Sequence, residues 1–333
     1  MTTMPAATGR APGSLVRAAG LGQRWLRRHL LDPAHPLAAV EVRSRSVGVV
    51  RVARDGRRVV LAAAASMELP EGTLRLSMTE PNLADPAAFR ETLRAVLERA
   101  GALHVGQVAL VLPDPVARVA LLSGSEVAAR SRKQSEELIR FRMRKAVPFD
   151  IRDARIAFAS GGPRTADSVL VAAVFRPVLE GYEAAFRALG LQPGLVELSG
   201  LALLSAAFGS LPPADRLLVN WDEGYVTLLL ARGEWPMLVR TLAGEAAASA
   251  TEVAREVTNT LLYYRERLGG AQLAQAVVRS GVMPAAQAQD LLEGPIELRP
   301  EVLELWPALR AGEMGQVGHA LAGAAACMVG SRR

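Results

Sequence analysis

Apolar residues fall along this chain in short runs separated by polar turns, and two of these runs share a pattern. Residues 217–230, LLVNWDEGYVTLLL, and residues 38–52, AAVEVRSRSVGVVRV, each predict an apolar strand, a short polar turn and a second apolar strand. The first strand ends in Asn220 in one copy and in Glu41 in the other. Two such hairpins predict a duplicated fold with a cleft between its halves. Polar tips that face each other across a cleft suit the phosphates of a nucleotide, but the glycines that such tips need are missing here.

The other apolar runs alternate between strand and helix patterns. The further predicted strands are 57–65, 108–112, 153–160, 168–175 and 236–241. The predicted helices are 85–100, 131–147, 177–189 and 251–268. Asp85 and Ser131 have the character of N-caps, Pro148 is expected to stop the second helix, and the sequence Arg54-Asp55-Gly56 predicts a hairpin turn. The alternation of strands and helices predicts a mixed α/β fold.

Length and composition set the broad class of the protein. A chain of 333 residues suffices for about two domains, and half of its residues are hydrophobic. No apolar run reaches the roughly 18 residues of a membrane-spanning helix, and the first residues lack the pattern of a signal peptide. The single cysteine, Cys327, lies in an alanine-rich run, which predicts a buried structural thiol. These features together predict a cytoplasmic protein.

Positive charge is concentrated at the N-terminus. Residues 1–36 carry five arginines and one acid, a net charge of +4, which leaves only +2 of the total of +6 for the rest of the chain. Residues 14–31 can form an amphipathic helix, and three interpretations stay open: a helix on an anionic membrane surface, a helix packed on its own domain, and a flexible tail. The folded body has no basic stripe interleaved with aromatic residues, so no nucleic-acid partner is expected.

Common catalytic motifs are absent from the sequence. It has no P-loop, no dinucleotide-binding glycine motif and no nucleophile elbow, and its four histidines have no zinc-site spacing. Asp222 and Glu223 are adjacent carboxylates that could serve in acid–base chemistry, although adjacent acids at a strand end are more often a solvated turn. The sequence therefore predicts no catalytic residue and no metal site.

The order of segments over residues 37–330 resembles the type IV pilus assembly protein PilM family, a group within the actin-like superfamily of actin, Hsp70, sugar kinases and FtsA. The segments that carry this resemblance are the two hairpins at 41–48 and 220–223, the stretch EELIRFRMRKAVPFDIRDARIAF, the crossover at 195–208, Arg240, Glu256, Val257, Tyr263, Tyr264, Ser280-Gly281 and the C-terminal ALAGAAA. The resemblance implies actin-like, duplicated ribonuclease H-type domains with an inserted small α/β subdomain. It places a basic leader at 1–36, a first half at 37–210 with the insert at about 115–192, and a second half at 211–333.

The resemblance also implies a nucleotide cleft between the halves, for ATP with magnesium. The residues that would form it are Glu41, Arg43, Ser44, Ser46, Asn220, Asp222, Ser280 and Gly281. Arg43 and Asp222 stand where the family has glycines, and Asp222 puts a like charge beside phosphate at a cost on the order of a few kcal/mol. Glu41 and Asn220 replace the aspartates that organise magnesium, and the adenosine-facing glycine pair is reduced to Ser280-Gly281. We expect this site to bind nucleotide weakly or not at all.

For function, the resemblance implies a cytoplasmic scaffold, peripheral to the inner membrane, in a type IV pilus or type II secretion-like assembly. Its partner would be the cytoplasmic tail of a PilN-like inner-membrane protein, bound as an extended peptide near the inserted subdomain. Candidate groove residues are Leu138, Phe141 and Phe149, for which ordinary core packing is the alternative.

Other functions within the superfamily stay open. The enzyme alternative is an active ATPase or a small-molecule kinase with an acidic base, for which only Glu41 and Asp222 are available. A filament-forming relative of the FtsA type is expected to have a C-terminal membrane helix, and a secretion L-type protein is expected to continue into a membrane span.

Overall fold

The computed structural model describes residues 36–330, apart from 56–57, 125–126, 128–130, 161–167, 210, 234 and 311–314. The predicted leader helix at 14–31 lies outside the described residues, as does Gly56 of the predicted turn. Within the described part of the chain, no helix combines the length and the apolar character needed to cross a bilayer.

Strands and helices alternate through the described residues. The strands are β1 (Ala38–Val42), β2 (Ser46–Asp55), β3 (Arg58–Glu68), β4 (Gln107–Leu112), β5 (Ala117–Ser123), β6 (Ala154–Ser160), β7 (Ser168–Phe175), β8 (Gln192–Leu198), β9 (Asp215–Asp222), β10 (Tyr225–Arg232), β11 (Trp235–Ala243), β12 (Gln275–Ser280) and β13 (Glu301–Val302). The helices are α1 (Pro86–Arg99), α2 (Arg132–Met143), α3 (Arg176–Arg187), α4 (Ser199–Phe208), α5 (Ala250–Arg267), α6 (Ala285–Ile296), α7 (Gly315–Ala320) and α8 (Ala322–Gly330). The predicted α/β class is confirmed.

Two five-stranded sheets repeat one topology. The first has the order β3-β2-β1-β4-β8 and the second the order β11-β10-β9-β12-β13. In each sheet a meander of three antiparallel strands is followed by two parallel pairings. In the first sheet β1 pairs with β4 and β4 with β8. In the second sheet β9 pairs with β12 and β12 with β13. The two hairpins found in the sequence are therefore β1–β2 and β9–β10, the corresponding hairpins of a duplicated fold, as the sequence predicts.

The central strands are buried along most of their length. All five residues of β1 are buried, and the continuous apolar runs of β4 and β9 are typical of strands covered on both faces. The alanine-rich helix α8 packs against α4 and against β1, β2 and β4, since its small side chains permit close approach. Cys327 of α8 is buried there, as predicted.

A smaller three-stranded sheet, with the order β5-β7-β6, lies between β4 and β8 in the chain. It packs with α2 around its own apolar core, which includes Ile139, Met143 and Val171. Helix α2 begins as predicted, because Ser131 and Gln134 form a capping box.

The predicted end of α2 at residue 147 is wrong. The helix ends at Met143, with Arg144 as its C-cap. Pro148 lacks an N–H group, and in a continued helix its ring would clash with the carbonyl of the residue four positions earlier, which is Arg144. The helix therefore ends about one turn before Pro148.

Candidate functional site

The tips of the two hairpins touch each other directly. The β9–β10 turn consists of Glu223 and Gly224, with Gly224 at φ 78°, a conformation that glycine adopts without strain. The Ser44 hydroxyl of the first hairpin donates to the Glu223 carbonyl at 2.7 Å, and Arg45 Nη1 lies 3.0 Å from Glu223 Oε1. The cleft that the sequence predicts between the tips is thus bridged by the tips themselves.

A bidentate ion pair lies just inside this contact. Arg43 of the first hairpin donates from Nε to Asp222 Oδ2 at 2.9 Å and from Nη2 to Asp222 Oδ1 at 2.5 Å. The Arg43 side chain is 12% exposed and that of Asp222 only 1%, so water screens the pair little. Arg43 Nη2 also lies 3.4 Å from the Gly281 carbonyl oxygen.

A second arginine, Arg279, approaches Asp222 from the end of β12. Its fully buried guanidinium donates from Nη1 to Asp222 Oδ2 at 2.9 Å and to Asn220 Oδ1 at 3.1 Å. Its Nε and Nη2 donate to the His319 carbonyl at 3.0 and 2.8 Å. The sequence prediction missed Arg279, although an arginine within the otherwise apolar strand segment QAVVRS is itself a signal, because a buried cation needs a partner.

The remaining buried carboxylates bind the first turns of two helices. Glu41 Oε2 accepts the Ala324 amide of α8 at 2.9 Å. Asp114, which follows β4 and was also missed, accepts the Gly200 amide of α4 at 2.8 Å and the Asn220 side-chain amide at 3.0 Å. Amides in the first turn of a helix have no intrahelical partner, so each acid stabilises a helix end.

The pKa values divide these acids into two classes. Burial raises the pKa of Glu41 and of Asp114, although Arg279 and the hydrogen bonds partly offset it. Burial also acts to raise the pKa of Asp222, but the charges of Arg279 and Arg43 outweigh it and hold that pKa well below its usual range. Asp222 is therefore a buried, ionised carboxylate between two cations at neutral pH.

The structure places the other predicted cleft residues beside this network. Ser46 is buried in β2, and its carbonyl accepts the Arg43 amide at 2.9 Å. The Ser280 hydroxyl accepts the Val282 and Met283 amides at 3.4 and 3.3 Å, which forms a local turn. The charged network itself joins the predicted residues Glu41, Arg43, Asn220 and Asp222 with the unpredicted Arg279 and Asp114.

These residues do not fit a magnesium–triphosphate group. A cavity of about 730 Å³ lies beside Arg43 and Gly281 and is also bounded by Trp306 and His319. Arg43, which lines the cavity, is paired with Asp222, so a phosphate that bound to Arg43 would compete with the Asp222 carboxylate. Among the described residues no group of three or more His, Cys, Asp or Glu side chains is arranged to hold a metal ion.

The three candidate groove residues differ in their surroundings. Leu138 and Phe149 are partly buried against the core of the small sheet, and the Phe149 ring lies 5.0 Å from that of Phe175, centroid to centroid. Phe141 is 68% exposed on α2, with the Arg144 guanidinium 6.0 Å from its ring centroid. Of the three, Phe141 is the most exposed to solvent.

Comparison with known proteins gives the fold. No protein-family profile and no curated protein matches the chain. A chain of the PilM–PilN type IV pilus biogenesis complex matches with a TM-score of 0.73 and 20% identity, over 89% of this chain and 99% of that one. The cytoplasmic domain of EpsL from the Vibrio cholerae type II secretion system matches with a TM-score of 0.49 and 13% identity, over 86% and 94% of the two chains. A Bacteroides thetaiotaomicron protein with an actin-like ATPase fold has a TM-score of 0.49 and 8% identity, over 86% and 95%. The predicted actin-like fold is confirmed, and the resemblance to PilM holds at the level of the fold.

Proposed function

We propose that this chain is a non-catalytic scaffold of a type IV pilus or related secretion assembly. The observation that carries the proposal is the match to the PilM–PilN complex, which spans 99% of the matched chain. Nearly the whole fold of that chain, which belongs to a complex with PilN, is thus matched by 89% of this chain. By analogy, this chain binds the cytoplasmic tail of a PilN-like inner-membrane protein, in the cytoplasm at the membrane surface.

The small sheet and α2 offer a surface for such a tail. Phe141 is the most exposed of the large apolar side chains in the described residues. A solvent-facing aromatic ring with a cation beside it is a common anchor in protein–protein contacts. Leu138, at helical spacing from Phe141, and Phe149 would form the floor of the same groove.

The network at the hairpin tips supports a role without nucleotide chemistry. Asp222 is held ionised by Arg43 and Arg279, and Glu41 serves a helix end, so neither carboxylate is placed as a general base with a free approach. In this proposal the cleft is a structural joint between the halves, held by the contacts of Arg43 with Asp222 and of Ser44 and Arg45 with Glu223.

The basic leader would add a membrane contact. Each Lys or Arg near anionic lipid contributes about 1 kcal/mol, so the five arginines of residues 1–36 suffice for weak adsorption. Removal of residues 1–36 is expected to weaken binding to vesicles that contain phosphatidylserine, and unchanged binding would refute this part of the proposal.

Tail binding is tested with a fluorescent peptide from the N-terminal cytoplasmic segment of the PilN homologue of the same organism. The wild-type chain is expected to bind it, and Phe141→Ser to weaken binding at least about tenfold through loss of a central anchor. Leu262→Ser is the matched control, because Leu262 is 51% exposed on another helix, α5. Absence of binding by the wild-type chain would refute the proposed partner.

Nucleotide binding separates the scaffold from the enzyme alternative. Calorimetry with magnesium-ATP is expected to show no binding at micromolar concentrations, and ATP turnover is expected to be the same in the wild type, in Asp222→Ala and in a blank. Micromolar affinity, or turnover that Asp222→Ala abolishes, would favour an ATPase or kinase instead.

A further inference from the structure

The Asp222 carboxylate has the surroundings of a bound anion. It accepts two hydrogen bonds from Arg43, one from Arg279 at 2.9 Å, and one from the Glu223 amide at 2.8 Å. Each carboxylate oxygen therefore has two donors, and the side chain is only 1% exposed. This is the complement of charged and backbone donors that proteins use to hold a carboxylate or a phosphate.

The donors come from both five-stranded sheets. Arg43 follows β1 in the first sheet, Arg279 lies on β12 of the second sheet, and Asp222 ends β9. The ion pair between Arg43 and Asp222 thus joins the two hairpin tips across the cleft.

We propose that Arg43, Arg279 and the Glu223 amide form an oxyanion-binding site that the chain fills with its own Asp222 carboxylate. This internal anion holds the two hairpin tips together without an external ligand. The site is latent: it becomes available to a small carboxylate or to inorganic phosphate when the Asp222 side chain is removed.

The space around the pair supports a built site rather than a chance surface contact. Gly281 leaves room for the Arg43 guanidinium, because a Cβ at this position would lie 2.2 Å from Nη2. The Arg279 guanidinium is fixed from its other side by the His319 carbonyl. In a protein that lacks Asp222, both cations would lose their close counter-charge, and the other carboxylate near Arg279, Glu41 Oε1, lies 3.8 Å from its Nη2.

Anion rescue of Asp222→Ala tests the proposal. In chloride, this variant is expected to unfold at a lower temperature than the wild type. Sodium formate or sodium phosphate at the same ionic strength should raise its midpoint by several degrees in a saturable way, because a ligand that binds only the folded state stabilises it. The wild type should not respond. The two salts show which anion the site accepts. Rescue by formate alone would mean that it accepts only a small carboxylate, and rescue by phosphate would mean that it also accepts phosphate.

Two controls identify the donors. Glu223→Ala removes an exposed partner of Arg45 and keeps Asp222, so it should show no anion response. In the double variant Arg43→Gln, Asp222→Ala the rescue should be lost or weakened at least about tenfold, since the bidentate donor is missing. A folded Asp222→Ala that responds to formate and phosphate no more than to chloride would overturn the proposal.

If Asp222→Ala does not fold, Asp222→Asn keeps the shape of the side chain and removes its charge. Amide hydrogen exchange at residues 43–46 should then be at least about tenfold faster than in the wild type, because the tip loses its ionic tie. Unchanged exchange in this variant would overturn the proposal. The inference is independent of tail binding, which the peptide assay measures separately.

Discussion

The α-carbon of Gly281 lies directly against the Arg43 guanidinium. A Cβ built on Gly281 would stand 2.2 Å from Arg43 Nη2, closer than non-bonded contact permits, and 3.0 Å from Asp222 Oδ1, a tight contact. In the sequence, Ser280-Gly281 has the character of a reduced glycine pair beside a nucleotide. In the structure, the missing side chain makes room for the arginine that ties the hairpin tips together.

Gly281→Ala is therefore expected to destabilise the protein by about 1–3 kcal/mol, since an inserted methyl group pushes Arg43 away from Asp222 or strains the backbone. The free energy of urea unfolding measures the effect. Gly181→Ala is the control, because a Cβ there meets nothing within 4 Å, and alanine within α3 should be neutral or slightly stabilising. Equal values for the two variants would show that Arg43 moves aside at no cost.

Replacement of the buried Arg279 should lower the free energy of unfolding more than Gly281→Ala does. Arg279→Met leaves Asp222 with one cation instead of two and keeps the volume of the side chain. Breaking a buried ion pair costs about 3–5 kcal/mol; here Asp222 keeps Arg43, but the buried oxygens of Asn220 and His319 also lose their donor. Arg265→Met removes an exposed pair with Glu297, for which the loss should be below about 1 kcal/mol. Equilibrium unfolding of both variants tests this ranking, and a reversed order would contradict it.

The low pKa of Asp222 predicts a specific acid dependence. Burial alone raises this pKa, but Arg279 and Arg43 lower it below the value of about 3.9 in the unfolded chain. The stability that the carboxylate confers is therefore complete above about pH 4 and is lost as the pH falls through the folded-state pKa.

Comparison of the wild type with Asp222→Asn isolates this dependence. The difference in their free energies of unfolding should shrink below about pH 4, by up to about 1.4 kcal/mol per pH unit. Burial raises the pKa values of Glu41 and Asp114, so these two groups change the stability with pH in the opposite direction to Asp222. Both groups are present in the wild type and in the variant, so their effect cancels in the difference. Urea unfolding between about pH 7 and pH 3 measures the difference; a constant difference would contradict a paired, ionised Asp222.

The sequence predicted the elements of this fold better than the pairing of its charges. Strand and helix patterns depend on local periodicity, so β1–β2, β9–β10 and α1 follow from the order of residues. The ties between Arg43 and Asp222 or between Asp114 and Asn220 join segments far apart in the chain, and no local pattern encodes them. The adjacent acids illustrate the limit: Glu223 is an exposed turn residue, whereas Asp222, beside it, is buried.

Some local expectations also depended on tertiary context. Strand β5 and helix α6 are not predicted from the sequence: β5 is only partly buried, and α6 contains Pro295 within its length. Leu138, Phe141 and Phe149 share an apolar character in the sequence. Only the packing of the small sheet shows that Phe149 contacts Phe175 while Phe141 faces solvent.

This difference predicts opposite outcomes for two phenylalanine variants. Phe149→Ala should lower the free energy of unfolding by about 2 kcal/mol, less than the 3–5 kcal/mol of a fully buried phenylalanine, because its ring is only partly buried. Phe141→Ser should change stability by less than about 0.5 kcal/mol, as at other exposed positions. Thermal and urea unfolding of both variants measures the two values. A large loss for Phe141→Ser would mean that this ring packs on the protein and is not available to a partner.

Glu41 offers a test of whether a carboxylate or only an acceptor is needed at the start of α8. Its Oε2 accepts the Ala324 amide at 2.9 Å, and burial raises its pKa, which disfavours the charged form of the side chain. Glu41→Gln keeps an acceptor oxygen and is expected to cost less than about 1 kcal/mol, since the distance from Oε1 to Arg279 Nη2 is as long as 3.8 Å. Glu41→Ala leaves the buried Ala324 amide without a partner and creates a cavity, so it should cost about 2–4 kcal/mol. If the two variants are equally destabilised in urea unfolding, the negative charge of Glu41 is itself required, and its main partner is Arg279 rather than the helix.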